Sequence, residues 1–462
     1  MKLSKATSAR KARKHCYRHF WRFARELLSD DAASGISPQF SSEEAFSFFS
    51  STYQSNPASF TRPSWMPAPK QPSVSLEVGE ICLGEVEFVI PHGKSSSSPC
   101  PFDQIPYVIF KRCPALIPAL VDLFTCCWMS KTIPSSWKVA GIKLLGKTSA
   151  VDNPSSPTNF RPIALTSCIG KIFTTILKNR WLDYMLKNGY LNTNIQKAFV
   201  SNIPGCTEHQ AKLAAVLSEA RKKHKSLAVA WLDLANAYGS VHHSLIQFSL
   251  KHYHAPPEFC SILRSLYSGL TASILTNDWQ TSEIPLEVGV YQGDPLSVAI
   301  FNTVINTLAD TLMTRSDLGY ALANLPQRIN LLQYADDVCL VTNSPAACQH
   351  LLTMVDNWLV WSGMKAKVTK CHSLGIHSSS GSTFDPKVTL SGELLPFLGN
   401  KAITFLGLSI QVPNDPKAAR QSLKNTMIHM LQAVDQCPVT RKQKLKLYKL
   451  GICPQLIWPL TD

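Results

Sequence analysis

Two adjacent carboxylates interrupt an otherwise apolar run: Ile329-Asn330-Leu331-Leu332-Gln333-Tyr334-Ala335-Asp336-Asp337-Val338-Cys339-Leu340-Val341. No other stretch constrains the chain as strongly. Strand-forming residues lie on both sides. Two neighbouring acids in such a run are costly to bury unless something cationic neutralises them. The simplest arrangement is a β-hairpin with Asp336 and Asp337 at its tip, projecting from a rigid base into an open site. Paired Asp oxygens there suit Mg²⁺, a hard ion that keeps several waters and favours phosphate-containing ligands. Taken alone, Tyr334-Ala335-Asp336-Asp337 reads equally as a solvated turn with two acids.

A second acid-bearing strand changes the balance. Leu227-Ala228-Val229-Ala230-Trp231-Leu232-Asp233 is apolar up to an acid at its C-terminal end. If this strand neighbours the hairpin, Asp233 points to the same side as Asp336 and Asp337. Three carboxylates from two strands make a two-metal site, with ions about 3.5–4 Å apart that activate a hydroxyl and stabilise a leaving oxygen. That is the chemistry of nucleotidyl transfer.

Composition fits a polyanionic partner. The 462 residues carry a formal net charge of +15, and 45% are hydrophobic, enough for a substantial core. Nucleic acid is the first candidate and an anionic membrane surface the second. The 14 cysteines are scattered without a CxxC pair, which argues against a zinc ribbon or a dense disulfide framework and for a reducing compartment. No run of 18 or more apolar residues is present, so no membrane span is expected. The basic start has no apolar core behind it, so neither is a secretory signal.

Along the chain, residues 1–30 hold nine cations before the first acid, Glu26, with Trp21, Phe23, Leu27 and Leu28 interleaved. This reads as a basic helix on nucleic-acid phosphates or as a solvated tail. Ser41 and Glu44 have capping-box spacing ahead of an apolar island. Residues 55–75 read as linker. A helix is expected from near Pro118, a strand at 139–145, a loop from Lys147 to Arg161, and a helix at 168–186. Thr207 and Gln210 suggest a capped helix from Thr207 to about Lys223. A strand at 226–234, helices near 241–253 and 257–268, strands near 273–290 and a long helix after Pro295 follow. Without a regular βαβ period, the class is α+β.

Several stretches stand in order around the acids: Asn159-Phe160-Arg161-Pro162-Ile163, Gln196-Lys197-Ala198-Phe199, Leu232-Asp233-Leu234 with Ala237-Tyr238, Gln292-Gly293-Asp294-Pro295-Leu296-Ser297, Tyr334-Ala335-Asp336-Asp337 and Phe405-Leu406-Gly407. In this order they resemble the reverse transcriptases of non-long-terminal-repeat retrotransposons, most closely the site-specific branch. The resemblance covers roughly residues 100–460. Gly93 to Leu116 is similar to that branch's N-terminal extension, and Phe20 to Tyr53 to the segment before it.

The resemblance implies a right-hand polymerase fold with an antiparallel palm sheet. It divides the chain into a basic arm and Ser/Pro-rich linker with short helices (1–94), N-terminal extension and fingers (95–225), palm (226–410) and a truncated thumb (411–462). It implies RNA-templated DNA synthesis from a DNA primer, template RNA and dNTPs. Asp233, Asp336, Asp337 and the Leu234 carbonyl would hold two Mg²⁺, with Mn²⁺ as a substitute. Arg161, and Lys147 with it, would grip the incoming triphosphate. Tyr238 would act as a steric gate against the 2′-hydroxyl. Gln292 and Gly293 would line the nucleotide and template pocket, Lys370 would protonate the leaving pyrophosphate, and the basic arm would track template RNA.

Departures are visible. Gly239 stands where many members carry a second acid. Pro101-Phe102-Asp103-Gln104 replaces a Gly-rich turn. Neither an endonuclease module nor zinc fingers are seen, and the end at Asp462 inside the expected thumb suggests a fragment, a decayed copy or a partial gene model. Two other readings stay open: a non-catalytic nucleic-acid-binding remnant, and a related templated polymerase such as a mobile-intron reverse transcriptase. The resemblance implies no membrane partner and an intracellular, nuclear or cytoplasmic ribonucleoprotein. Oligomeric state is not legible.

Overall fold

The computed structural model describes residues 11–17, 20, 23, 24, 27, 36–54, 58–93, 99–147, 151–200, 203, 205–323, 325–411 and 416–453. Its centre is explained by one strand. After helices α1 (Ser42–Tyr53), α2 (Leu83–His92) and α3 (Ile117–Ser130) come strands β1 (Val139–Gly146) and β2 (Phe160–Leu165). Helices α4 (Cys168–Lys187) and α5 (Gly205–Lys222) then lead into β3 (Leu227–Leu232), buried at every residue. Its side chains alternate in size as well as in direction. Ala228, Ala230 and Leu232 enter one core cluster; Leu227, Val229 and Trp231 enter another on the opposite face. The two alanines let helices approach one face closely, and the larger residues fill the other against Leu213, Val216 and Leu217 of α5. Burying each Leu or Val here contributes about 1.5–3 kcal/mol.

The chain continues through α6 (His243–His252), α7 (Pro257–Tyr267), β4 (Leu270–Ile274), β5 (Ile284–Leu286) and α8 (Pro295–Met313). Next come β6 (Leu331–Tyr334), β7 (Asp337–Thr342), α9 (Pro345–Ser362), β8 (His372–Ile376) and β9 (Thr383–Phe384). The central sheet has the order β6-β7-β3-β8-β9 and is antiparallel throughout. A second sheet, β2-β1-β4-β5, contains one parallel pair, β1 with β4. It joins strands from both sides of the 225/226 boundary read from the sequence.

Helix α8 is apolar on nearly all sides and lies in the core, with Thr303 and Thr307 accepting the indole N–H groups of Trp181 and Trp358 at 2.8 and 2.9 Å. It is the one described helix long and apolar enough to cross a membrane, and 83% of its most apolar 18 residues are buried inside the protein, which makes it a core helix. Two short hairpins, β10 (Thr389–Leu390) with β11 (Glu393–Leu394) and β12 (Ala402–Phe405) with β13 (Leu408–Gln411), precede helices α10 (Pro416–Gln436) and α11 (Arg441–Leu447).

Three expectations need correction. The stretch read as linker is in part a packed strap: Met66 is buried, Phe60 and Trp65 meet the Trp361 ring edge-on at 5.5 and 6.2 Å, and the Trp361 indole donates to Thr61 O at 2.9 Å. Ser and Pro density suggested a linker, but its sparse aromatics dock on α9. Helix α5 starts at Gly205, two residues before the expected Thr207 cap, and Gly205 packs closely on Lys197, whose Cβ would lie 2.6 Å from an added Cβ. The described part of the basic arm is not wholly solvated. Residues 11–17 are helical; Lys11, Arg13 and Lys14 face out, while Cys16, Phe23 and Ala24 are buried among Met430, Val434, Leu447 and Ile452. Residues 1–10 lie outside the described residues.

Candidate active site

The hairpin forms as the sequence requires. Tyr334 pairs with Asp337, which leaves Ala335 and Asp336 as the two turn residues. Ala335 has φ 53°, a left-handed conformation that an L-residue adopts at a cost. On the other side β7 pairs with β3, and the last rung is Leu232 with Val338. Asp233 follows Leu232 directly and Asp337 precedes Val338, so the two acids come opposite one another at the open end of the sheet.

Asp233 is pinned on both sides by the segment after α9. Its carbonyl accepts from Lys367 N–H at 2.8 Å, its own N–H donates to Cys371 Sγ at 3.3 Å, and Ala235 N–H donates to Lys365 O at 2.8 Å. The Leu234–Ala366 bridge uses the peptide groups on either side of Leu234 and not its own carbonyl. The sequence sets Lys365, Lys367 and Lys370 as cations just after a helix, with no sign that the backbone of this segment fixes Asp233.

The electrostatics are those of a site built for cations. Burial pushes the Asp337 carboxyl up to about 6, with the charges of Asp336 and Asp233 adding to it. Asp336 is raised mainly by burial and further by Asp233, while Arg161 opposes the shift. Hard oxygen donors that repel one another are the donor set a divalent cation suits. Among the described residues, no group of three or more His, Cys, Asp or Glu side chains stands ready-made around a metal position. An ion that takes one or two carboxylates and completes its shell with water and phosphate oxygens does not need such a cage.

Facing the acids is a basic rim. Lys147 is depressed first by burial, then by Arg161, Lys370 and Lys367, with Asp233 acting the other way. The four cations and the carboxylates therefore share one field. Arg161 is exposed on β2, which corrects the loop expected up to that residue, since Phe160–Leu165 is strand paired along β1. The Lys147 amine donates to Thr158 O at 2.7 Å and so holds the loop behind Arg161. Lys370, exposed at the end of a short helical turn, completes the rim.

Gln292 and Gly293 dock on β2. Ala164 N–H donates to Gln292 O at 2.7 Å, and a Cβ on Gly293, at φ 122°, would sit 2.7 Å from Ala164 O. Only glycine fits. Asp294, which the sequence offered only as part of a motif, caps α8 by accepting from Leu296 N–H and Ser297 N–H at 3.0 and 3.2 Å, and also accepts the Thr174 hydroxyl at 2.9 Å. Tyr238 stacks on Phe301 with ring centroids 4.5 Å apart. Burial, then the charge of Asp336, raises its phenol well above the usual tyrosine range. Gly239 takes the departure from the usual acid: it admits Gly289, whose added Cβ would lie 3.0 Å from the Gly239 backbone. A cleft lined by Pro162, Asn236, Gly239, Tyr291 and Gln292 brings these segments together.

The pattern of the reverse transcriptase (RNA-dependent DNA polymerase) family matches residues 147–410. The chain belongs to that family. Its fold is therefore the right-hand polymerase fold, and the five-stranded antiparallel sheet is its palm. The Pol polyprotein of a type-2 retrotransposable element of Drosophila melanogaster is 27% identical over 86% of this chain and 38% of its own length. That of a type-1 retrotransposable element of Popillia japonica is 27% identical over 71% of this chain and 45% of its own. The RNA-directed DNA polymerase of the mobile element jockey is 24% identical over 60% and 29%. The chain thus spans less than half the length of these relatives, which are non-LTR retrotransposon proteins as the motif order implied. A solved apo telomerase of Candida tropicalis superposes with a TM-score of 0.41 at 12% identity, over 74% of this chain and 63% of that one.

Proposed function

We propose that this reverse transcriptase chain extends a DNA primer on template RNA with dNTPs. The observation that supports the reading most is the meeting of Asp233 and Asp337 across β3 and β7 beneath a basic rim. Asp233, Asp336, Asp337 and the Leu234 carbonyl hold two Mg²⁺, for which Mn²⁺ substitutes. When bound, the ions lower the pKa of the primer 3′-hydroxyl and neutralise charge on the leaving pyrophosphate. Arg161 takes the triphosphate in two-pronged fashion, and Lys147 adds charge behind it. Lys370 supplies a proton to the leaving group. Tyr238 supports the sugar face, while the Gln292–Gly293 backbone sets the distance between the β2 strand and the nucleotide. The outward cations of the N-terminal helix follow template RNA.

Primer extension on poly(rA)·oligo(dT) with dTTP tests the reading. Mg²⁺-dependent incorporation is expected; tight RNA binding with no incorporation at any metal concentration would leave a nucleic-acid-binding remnant instead.

A further inference from the structure

We infer that Gln196 and Gln333 form a clamp that holds Ala335 in its left-handed conformation and thereby sets the two turn carboxylates for metal binding. This rests on the metal-site reading above. Both side chains are buried to within 1% of full exclusion from solvent. Gln196 Oε1 accepts the Ala335 N–H at 2.9 Å and the Ala198 N–H at 3.0 Å. Gln333 Nε2 donates to Ala335 O at 3.4 Å. One amide takes the donor of the turn residue and the other its acceptor.

The clamp is itself held in place. Residues 195–197 run parallel to β6: Gln333 N–H donates to Ile195 O at 3.1 Å and Lys197 N–H to Gln333 O at 3.2 Å. His209 Nε2 lies 2.7 Å from Ile195 O and 3.1 Å from Gln333 O, and burial holds its imidazole down to about 4, so it stays neutral and donates to both. Buried Lys197 pairs with Glu208.

The arrangement is not the one that stability alone would select. Gln196 Nε2 and Gln333 Oε1 are left buried without a hydrogen-bond partner among the described residues. Ala335, at φ 53°, occupies a backbone region that is unfavourable for any residue with a Cβ. Backbone strain at Ala335, together with unpaired polar atoms on the two glutamines that hold it, belongs to a turn whose geometry matters. Gln196 and Gln333 are positioning residues; they act on Asp336 and Asp337 through Ala335.

Mn²⁺ binding followed by electron paramagnetic resonance tests this without requiring turnover. Gln196→Met keeps the side-chain volume and removes the acceptor. It is expected to weaken Mn²⁺ binding at least fivefold. Adding Ala335→Gly, which removes the Cβ penalty, should return the affinity to within twofold of wild type. Thermal melts of the same proteins separate clamping from general unfolding. Two results overturn the proposal: Gln196→Met binding Mn²⁺ like wild type, or its loss of binding tracking a fall in Tm that Ala335→Gly leaves in place. If wild type binds Mn²⁺ but extends no primer, the polymerase reading fails while the clamp is still measured. If wild type binds no Mn²⁺, both fail.

Discussion

Asp233 and Asp337 meet one step beyond the Leu232–Val338 rung of the palm sheet, although they lie far apart in the chain. Burial raises the cost of ionising Asp337, and the charges of Asp336 and Asp233 add to it. Without divalent ions, Asp337→Asn should therefore raise Tm, because it removes repulsion inside the folded state. Mg²⁺ should raise the Tm of wild type, by binding the folded form alone, and leave Asp337→Asn nearly unmoved. Melting curves with and without Mg²⁺ check both signs.

Tyr238 packs on Phe301 and also faces the acids, so a loss of total activity says little about a gate. The informative quantity is selectivity. Tyr238→Ala should raise rNTP incorporation relative to dNTP, since it removes repulsion toward a 2′-hydroxyl. It should also cost stability, about 0.5–1.5 kcal/mol from the stacked pair plus the area lost. Tyr238→Phe should keep both selectivity and stability. An unchanged rNTP/dNTP ratio in Tyr238→Ala would remove this residue from the site.

Gly293 has no room for a side chain against Ala164 O and stands at a φ that L-residues avoid. Gly293→Ala should cost about 1–3 kcal/mol and separate the Gln292 carbonyl from β2. Denaturant unfolding gives the first quantity. A rise in dNTP KM exceeding any fall in kcat would show the second.

A buried network behind the palm carries a pH dependence. Tyr253 donates to Asp310 Oδ2 at 2.7 Å, and burial pushes the Asp310 carboxyl up to about 7. A carboxyl raised on folding contributes stability that is complete below its unfolded pKa and lost as pH rises through its folded one. The Asp310 contribution should therefore decline between roughly pH 4 and 7. Asp310→Asn should flatten that part of the stability profile and melt above wild type at pH 8. His209 acts in the opposite sense: held down to about 4, it contributes stability that is lost as pH falls from about 6.5 toward 4.

What was legible followed the reach of local signals. The apolar run Leu227–Leu232, the hairpin that carries Asp336 and Asp337 at its tip, and the capping boxes of Ser41 and Thr440 are readable because their signals lie within a few residues. The sequence reads as a basic helix capped by Thr440, running through Leu450 and ended by Gly451; the Thr440 hydroxyl does cap α11, but the regular helix stops at Leu447 and a wider turn carries the chain past Gly451 to Ile452. The contacts that fix the site are of another kind. Gln196 grips Ala335, Cys371 meets Asp233, and Trp361 receives the 58–66 strap, each across a long stretch of chain. No periodicity announces them. The parallel β1–β4 pairing was hidden for the same reason, since α4 through α7 lie between its strands in the chain.

The central claim is that the carboxylates at the open end of β3 and β7 perform nucleotidyl transfer. Single-turnover primer extension by wild type and Asp336→Asn, both shown folded by matching far-UV spectra and cooperative melts, tests it directly. Loss of a charge that acts on the reacting centre predicts a rate lower by roughly 10²–10³ or more, with RNA affinity and its salt dependence unchanged. Equal extension rates for the two proteins would contradict it.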